Sequence, residues 1–203
     1  MLMLSDIKNQ FQNHFNAQVT KVAIGFTIIA LTACSSTTKK MVIAPQISDI
    51  KSTVYALKTA QVNVMDLRPN SHAVAIHRED KAIELVSAHD HLDSVINGLY
   101  VQSLKNNGLS LDENSLNNIE LIINTAEVNV FQELMKYKTT SQLTLTAKVS
   151  SGDKTLTKTF NNKGKSDGVL SADLAVLERN FNQQISDTIA LIVNDNEIQQ
   201  LLK

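Results

Sequence analysis

The chain has 203 residues, with 19 Lys and Arg against 20 Asp and Glu, so its formal net charge is −1. This near-neutral balance argues against a nucleic-acid-binding protein, which needs a basic surface to neutralise phosphates. With one cysteine in the whole chain, a disulfide within the chain, a two-cysteine redox motif and a cysteine-rich metal site are excluded.

The most informative stretch lies near the N-terminus. An apolar run from Val22 to Ala33 follows Lys21 and gives way to the polar stretch Ser35–Lys40. A short apolar segment after a basic residue, ending in small residues, is typical of a secretory signal peptide. A transmembrane helix needs about 20 apolar residues, and this run is too short. A buried core helix would leave the abrupt polar boundary unexplained.

The sequence Leu31-Thr32-Ala33-Cys34 resembles the lipobox of bacterial lipoproteins. The resemblance implies that Leu31, Thr32 and Ala33 are recognised by the lipoprotein signal peptidase. It also implies that Cys34 is lipidated and becomes the first mature residue, attached to membrane lipid. The predicted organisation is a signal peptide over residues 1–33, a polar tether over 34–40 and one periplasmic domain over 41–203. Translation could start at Met1, at Met3 or elsewhere.

The residue after the cysteine bears on localisation. In Gram-negative lipoproteins an aspartate at this position favours retention in the inner membrane, whereas this chain has Ser35. The resemblance therefore implies the periplasmic face of the outer membrane.

Short strands are predicted in the first part of the domain. Met41–Ala44 is a brief strand ended by Pro45, and the alternation around Val62 and Val64 predicts a strand that Pro69 helps to terminate. Two further short strands are predicted at residues 74–76 and 83–86.

Helix and strand patterns then alternate. An amphipathic helix is predicted over residues 90–107, with Asp90 as N-cap and Gly108 as a left-handed cap. Period-two patterning returns over residues 118–132 with a phase change at Asn124-Thr125, which indicates a β-bulge. A hairpin with strands at residues 143–149 and 154–160 comes next.

The C-terminal part combines a loop and a long helix. A polar loop with two glycines is predicted over residues 161–168. A long amphipathic helix follows, with Ser171 as N-cap, Phe181 in the middle of its apolar stripe and Asn182 on its exposed side. A short helix is predicted at residues 195–203. The predicted fold class is α+β, a mainly antiparallel sheet with two amphipathic helices packed on one face.

With these elements placed, the mature chain resembles the YajG-type lipoprotein family of Gram-negative bacteria. The resemblance rests on the lipobox at Cys34, on Val62–Pro69 with its Asp-x-Arg, on Leu104–Gly108, and on the hairpin followed by the long helix. It covers most of residues 34–203. The family implies an envelope lipoprotein without an established activity.

Asp66 and Arg68 are the first candidate site. They are two residues apart, so on a continuing strand they would face the same side. One interpretation is a contact with a partner at the end of the strand. The other, which the sequence favours, is an ion pair that fixes the loop before Pro69.

A second candidate is the group His89, Asp90, His91 and Asp93, together with His72 and His77. Histidine and carboxylate are metal ligands, but helix positions two apart do not face each other. No metal site, cofactor or catalytic residue is predicted.

The sequence thus predicts a non-enzymatic binding or accessory module whose partner is an envelope protein or the peptidoglycan machinery. The alternative is a lipid or acyl-chain carrier with a continuous apolar cavity under the long helix. An enzyme is the third hypothesis and would require a cleft that gathers His89, His91 and Asp93. The oligomeric state is not indicated.

Overall fold

The structure is a computed structural model that describes residues 39–46 and 52–202. The chain divides into two units, and the second, Lys39–Lys203, contains every element described below. The predicted signal peptide, Cys34 and most of the tether lie outside the described residues. Within the described part of the chain, no helix is both long and apolar enough to cross a membrane.

Eight strands and three helices make up the described part of this unit. The strands are β1 Lys40–Met41, β2 Thr59–Asp66, β3 His72–Arg78, β4 Glu84–Ala88, β5 Ser110–Leu111, β6 Asn117–Gln132, β7 Lys136–Ser151 and β8 Lys154–Val169. The helices are α1 Leu92–Asn106, α2 Leu174–Val193 and α3 Asn196–Leu201.

Strand β6 organises the sheet. It pairs antiparallel with β7 along its length, and β7 pairs antiparallel with β8. On its other edge, β6 pairs in parallel with β2 over its first half and with β3 over its second half. Strand β4 is antiparallel to β3, while β1 is parallel to β4 and β5 is parallel to β2. The sheet therefore mixes both kinds of pairing.

The predicted fold class was wrong in two respects: the kind of strand pairing in the sheet, and the relative amounts of strand and helix. Strand dominates over helix, and the sheet is mixed and curled into a half-barrel rather than mainly antiparallel. A period-two pattern identifies a strand and its buried face but says nothing of the partner strand. The parallel pairing of β2 with β6 needs a long crossover, and α1 lies in that connection.

The predicted polar loop at residues 161–168 was also wrong. The region continues β8 to Val169, paired with β7 residue by residue. This strand is at the edge of the sheet and carries several lysines, a composition that protects edge strands from pairing with other chains. Its polar character came from the edge position and not from a loop.

Several local predictions are settled by the backbone. The register of β6 against β7 shifts between Ile123 and Thr125, which confirms the predicted bulge. Gly108 has φ +95°, as predicted for a left-handed cap. The N-caps were wrong by one or two residues: His91 precedes α1 without a side-chain cap bond, and Asp173 caps α2 by accepting from the Ala175 N–H at 2.9 Å.

Helix α2 supplies much of the core. Its stripe, predicted from spacings of three and four, is buried at Leu177, Phe181, Ile185, Ile189 and Ile192. Asn182 was predicted to lie on the exposed side of the helix, but its side chain binds the backbone of the segment after β1. Its Oδ1 accepts from the Ala44 N–H at 3.0 Å, and its Nδ2 donates to the Val42 carbonyl at 3.3 Å. The start of the domain is therefore fastened to α2.

Candidate functional site

Asp66 and Arg68 form an ion pair at the end of β2. The Arg68 Nη2 is 2.8 Å from Asp66 Oδ2, and Arg68 Nε donates to Asp66 Oδ1 at 2.9 Å. The Arg68 Nη1 also donates to the carbonyl oxygen of Ala126 at 3.1 Å, just beyond the bulge of β6. The pair therefore fastens the loop before Pro69 to the neighbouring strand.

Burial and charge explain the electrostatics of this pair. The Arg68 side chain is only 7% exposed and that of Asp66 is 25% exposed. Burial alone would raise the pKa of Asp66, but the hydrogen bonds and charge of Arg68 outweigh it and hold that pKa below its usual value. The ion-pair interpretation agrees with these contacts, and contact with a partner through Asp66 or Arg68 stays a prediction.

The histidines are distributed among separate contacts. His77 stacks on Phe131 with ring centroids 4.8 Å apart, and its Nε2 lies 3.0 Å from Asn129 Oδ1. His89 Nδ1 lies 3.0 Å from Asp90 Oδ1. Among residues 39–46 and 52–202, no group of three or more His, Cys, Asp or Glu is placed to hold a metal ion. None of His89, His91 and Asp93 lines the clefts described next.

A small open cleft of about 220 Å³ lies between α2 and the sheet. Polar side chains bridge helix and strand there: Gln184 Nε2 donates to the Asn162 carbonyl at 2.8 Å, and Asn162 Nδ2 donates to Thr188 Oγ1 at 3.1 Å. A Cβ at Gly164 would lie 2.5 Å from Ser141 Oγ, so a larger residue at this position would require the Ser141 side chain to move. The sequence missed this contact because residues 161–168 resemble a loop.

A second open cleft of about 190 Å³ lies between α1 and α2. Both clefts are smaller than the roughly 300–1,000 Å³ of typical ligand pockets.

Within the described part of the chain, four exposed apolar side chains lie at the end of the sheet where β6 turns into β7 and β8 ends. We call Leu134, Met135, Val169 and Leu170 the apolar end; their exposed fractions are 93%, 66%, 78% and 59%. An open groove of about 650 Å³ runs beside them, and its lining includes charged residues of both signs: Arg78, Glu79, Asp80, Lys81 and Glu133.

The apolar end is held in place by Gln132. Its Nε2 donates to the carbonyl oxygens of Leu170 at 2.6 Å and Glu133 at 2.7 Å, and its Oε1 accepts from the Ala172 N–H at 3.1 Å. The Leu170 N–H donates to the Met135 carbonyl at 2.9 Å. These bonds join the β6–β7 turn to the segment after β8, so the four side chains form one surface.

Sequence reasoning missed the apolar end, although one signal was present. Tight turns favour Gly, Asn, Asp, Pro and Ser, whereas this turn contains Leu134 and Met135. Two adjacent large apolar residues in a turn depart from this preference, and the departure is visible in the sequence alone.

No curated protein matches the chain. Protein XCC0632 from Xanthomonas campestris, of family DUF330, has a similar fold: it is 12% identical with a TM-score of 0.56, over 78% of this chain and 96% of that one. A neuraminyllactose-binding hemagglutinin homolog from Helicobacter pylori is 10% identical with a TM-score of 0.43, over 80% and 95% of the two chains.

The first of these likenesses concerns the fold alone, and the second is too distant to carry an argument. The family is shown by a match over the domain itself. The model of the family described as "Uncharacterized lipoprotein" matches residues 45–203, and the chain therefore belongs to this family of YajG lipoproteins.

Proposed function

We propose that this protein is a lipid-anchored lipoprotein on the periplasmic face of the outer membrane, and that its domain is a non-enzymatic binding or accessory module. The observation that carries the proposal is Leu31-Thr32-Ala33-Cys34 directly ahead of a domain of a lipoprotein family. A diacylated or triacylated cysteine anchors stably, since one acyl chain binds only marginally and two or more bind firmly.

The burial of the apolar stripe of α2 favours a binding module over an acyl-chain carrier. Leu177, Phe181 and Ile185 are buried between α2 and the sheet. The cleft beside them is open and bridged by polar side chains, whereas an acyl chain requires a continuous apolar cavity. The domain would then act through its surface.

The anchor is tested by labelling cells with a radioactive or alkynyl fatty acid. We expect Cys34→Ala to abolish lipidation and to leave an unprocessed precursor, because the acylated sulfur and the cleavage site are both lost. The matched control is Ser36→Ala, which changes a neighbouring residue by one oxygen atom and should leave labelling unchanged. Fatty acid on the Cys34→Ala chain would reject the lipobox assignment.

Sorting is tested by one substitution after the cysteine. Ser35→Asp should shift the protein towards the inner-membrane fractions of a density gradient, with Ser35→Asn as the uncharged control of similar size. An unchanged distribution of Ser35→Asp would remove the argument for residence in the outer membrane.

If the domain is a binding module, a partner molecule should lie against its surface in intact cells. A photo-crosslinking residue at Asn70, next to the Asp66–Arg68 pair, should yield an adduct with an envelope protein or a peptidoglycan fragment, identified by mass spectrometry. The same probe at Asp153, in the β7–β8 turn, serves as the control. Equal and non-specific adducts from both positions would speak against a partner at this loop.

A further inference from the structure

We infer that the apolar end, Leu134, Met135, Val169 and Leu170, docks into the surface of the lipid bilayer to which Cys34 is anchored. This inference rests on the proposed lipid anchor and specifies how the domain sits on its membrane. It follows from the exposure of these residues, from the way in which they are held, and from the direction of the chain at the start of the domain.

The fold gives no reason for these side chains to be apolar. Leu134 and Val169 are 93% and 78% exposed, so they contribute little to the core. Contiguous exposed apolar surface on a soluble domain marks an interaction site with a protein or a membrane. A bilayer is the surface that an anchored domain meets at all times.

The end is also built to present these residues. Leu170 has φ +64°, a left-handed conformation that costs a leucine energy and that glycine or asparagine adopts more easily. The Gln132 bonds to the Leu170 carbonyl and the Ala172 N–H hold this conformation. Leu57, near the opposite end of the sheet, is also exposed with φ +65°, so it is the grouping of apolar side chains at the apolar end, and not the strain alone, that points to an interaction surface.

The direction of β1 favours the membrane as the surface that covers the apolar end. Lys40 lies beside Ser87 near the end of β4, and β1 runs parallel to β4. Arg78, the last residue of β3, is paired with Gln132 beside the apolar end. Glu84, the first residue of β4, is opposite Ile76 of β3, so β4 begins near the apolar end and leads away from it. Strand β1 therefore runs away from the apolar end, and Lys40, its first residue, is on the side of β1 nearer to that end.

The reach of the tether agrees with this direction. Fully extended, the chain from Cys34 to Lys40 spans at most about 20 Å. Measured along the strands at about 3.3 Å per residue, Lys40 is about 23 Å from the level of Leu134 and about 35 Å from that of Leu116 at the opposite end. The tether length is therefore close to the first distance and well short of the second, so an anchor at Cys34 favours the apolar end, rather than the opposite end, as the side that faces the bilayer.

The test uses the mature, full-length lipoprotein in vesicles of phosphatidylethanolamine and phosphatidylglycerol. Cys34 is the only cysteine, so once it is acylated, Leu134→Cys has a single free thiol for an environment-sensitive nitrobenzoxadiazole probe. We expect lipids with nitroxide-labelled acyl chains to reduce its emission at least twofold. Met135→Cys is a second probe on the same turn, for use if Leu134→Cys is poorly produced.

The matched control is Leu116→Cys. Leu116 is 86% exposed and lies at the opposite end of the sheet, so its probe should keep its emission in the same vesicles. Equal emission from positions 134 and 116 with and without nitroxide lipids would overturn the docking. An unquenched probe at position 134 together with protection of that thiol in intact cells would assign the end to a protein partner instead.

Failure of the anchor gives a different result. If the parent chain, without an added cysteine, reacts with the probe, Cys34 is a free thiol, and the anchor and the docking fall together. If the parent does not react and floats with the vesicles while position 134 is unquenched, the anchor stands and only the docking is wrong.

Discussion

Large apolar side chains occupy two contrasting places in this domain. Under α2, Phe181, Ile185 and Ile189 are buried against the sheet, and their spacing alone predicted their position. At the apolar end, Leu134 and Leu170 are exposed, and no core packing accounts for them. The first set explains the fold. The second set makes little contact with the core, so we look for its role in a contact with the surroundings of the domain.

The two turns of the long hairpins show the same contrast. The β7–β8 turn has Gly152, at φ +57°, followed by Asp153, which are ordinary turn residues. The β6–β7 turn has Leu134 and Met135 instead. Both turns join strands of sixteen residues, so the difference does not come from the strands that they connect.

The largest expected effect is on the buried set. Phe181→Ala should lower the free energy of unfolding by about 3–5 kcal/mol, because a buried aromatic side chain is lost and a cavity remains. That is a large share of the roughly 5–15 kcal/mol that stabilises a domain. Urea or thermal unfolding of the mature protein in detergent, followed by circular dichroism, would measure the loss.

The control for Phe181→Ala is Leu191→Ala on the same helix, where the side chain is exposed. It should change the unfolding free energy by less than about 0.5 kcal/mol. Asn182→Ala is not a neutral control, because Asn182 holds the backbone of Val42 and Ala44. If Phe181→Ala and Leu191→Ala unfolded at the same denaturant concentration as the parent, the stripe would not be core.

How far the sequence predicted the structure depended on how local each signal was. The stripe of α2, the bulge near Asn124 and the cap at Gly108 each follow from neighbouring residues, and each was found. The parallel pairing of β2 and β3 with β6 was missed, since pairing depends on residues far apart in the chain.

The candidate sites could likewise be predicted only where their residues are close together in the sequence. The Asp66–Arg68 pair was accessible from the sequence because its residues are two positions apart. The apolar end brings together Leu134 of one connection and Leu170 of another through Gln132. Spacing within one segment cannot show that these residues meet.

An intermediate loss of stability is expected at Gln132, which joins the β6–β7 turn to the segment after β8. Gln132→Ala removes the bonds to the Glu133 and Leu170 carbonyls and to the Ala172 N–H. At a net value of about 0.5–1.5 kcal/mol for each bond, reduced by the access of water, the total loss should be about 1–2 kcal/mol. Hydrogen exchange should become faster at the Leu170 and Ala172 amides.

Gln102→Ala provides the comparison for Gln132→Ala. Gln102 is exposed on α1 and makes one bond of 2.9 Å to Asn106 Oδ1, so its loss should be within about 0.5 kcal/mol. Unchanged exchange at Leu170 in Gln132→Ala would show that the apolar end is held by other contacts.

The smallest effect on stability is expected at Leu134, and it makes the sharpest test of the contrast. Leu134→Ser should change the unfolding free energy by less than about 0.5 kcal/mol, since an exposed side chain loses little contact with the protein. Leu143→Ser on β7, where the leucine is fully buried, should cost more than about 2 kcal/mol through the cavity and the buried hydroxyl. Denaturant unfolding of both variants in detergent gives the two values side by side. A loss at Leu134 as large as that at Leu143 would mean that the apolar end belongs to the core and needs no membrane to explain it.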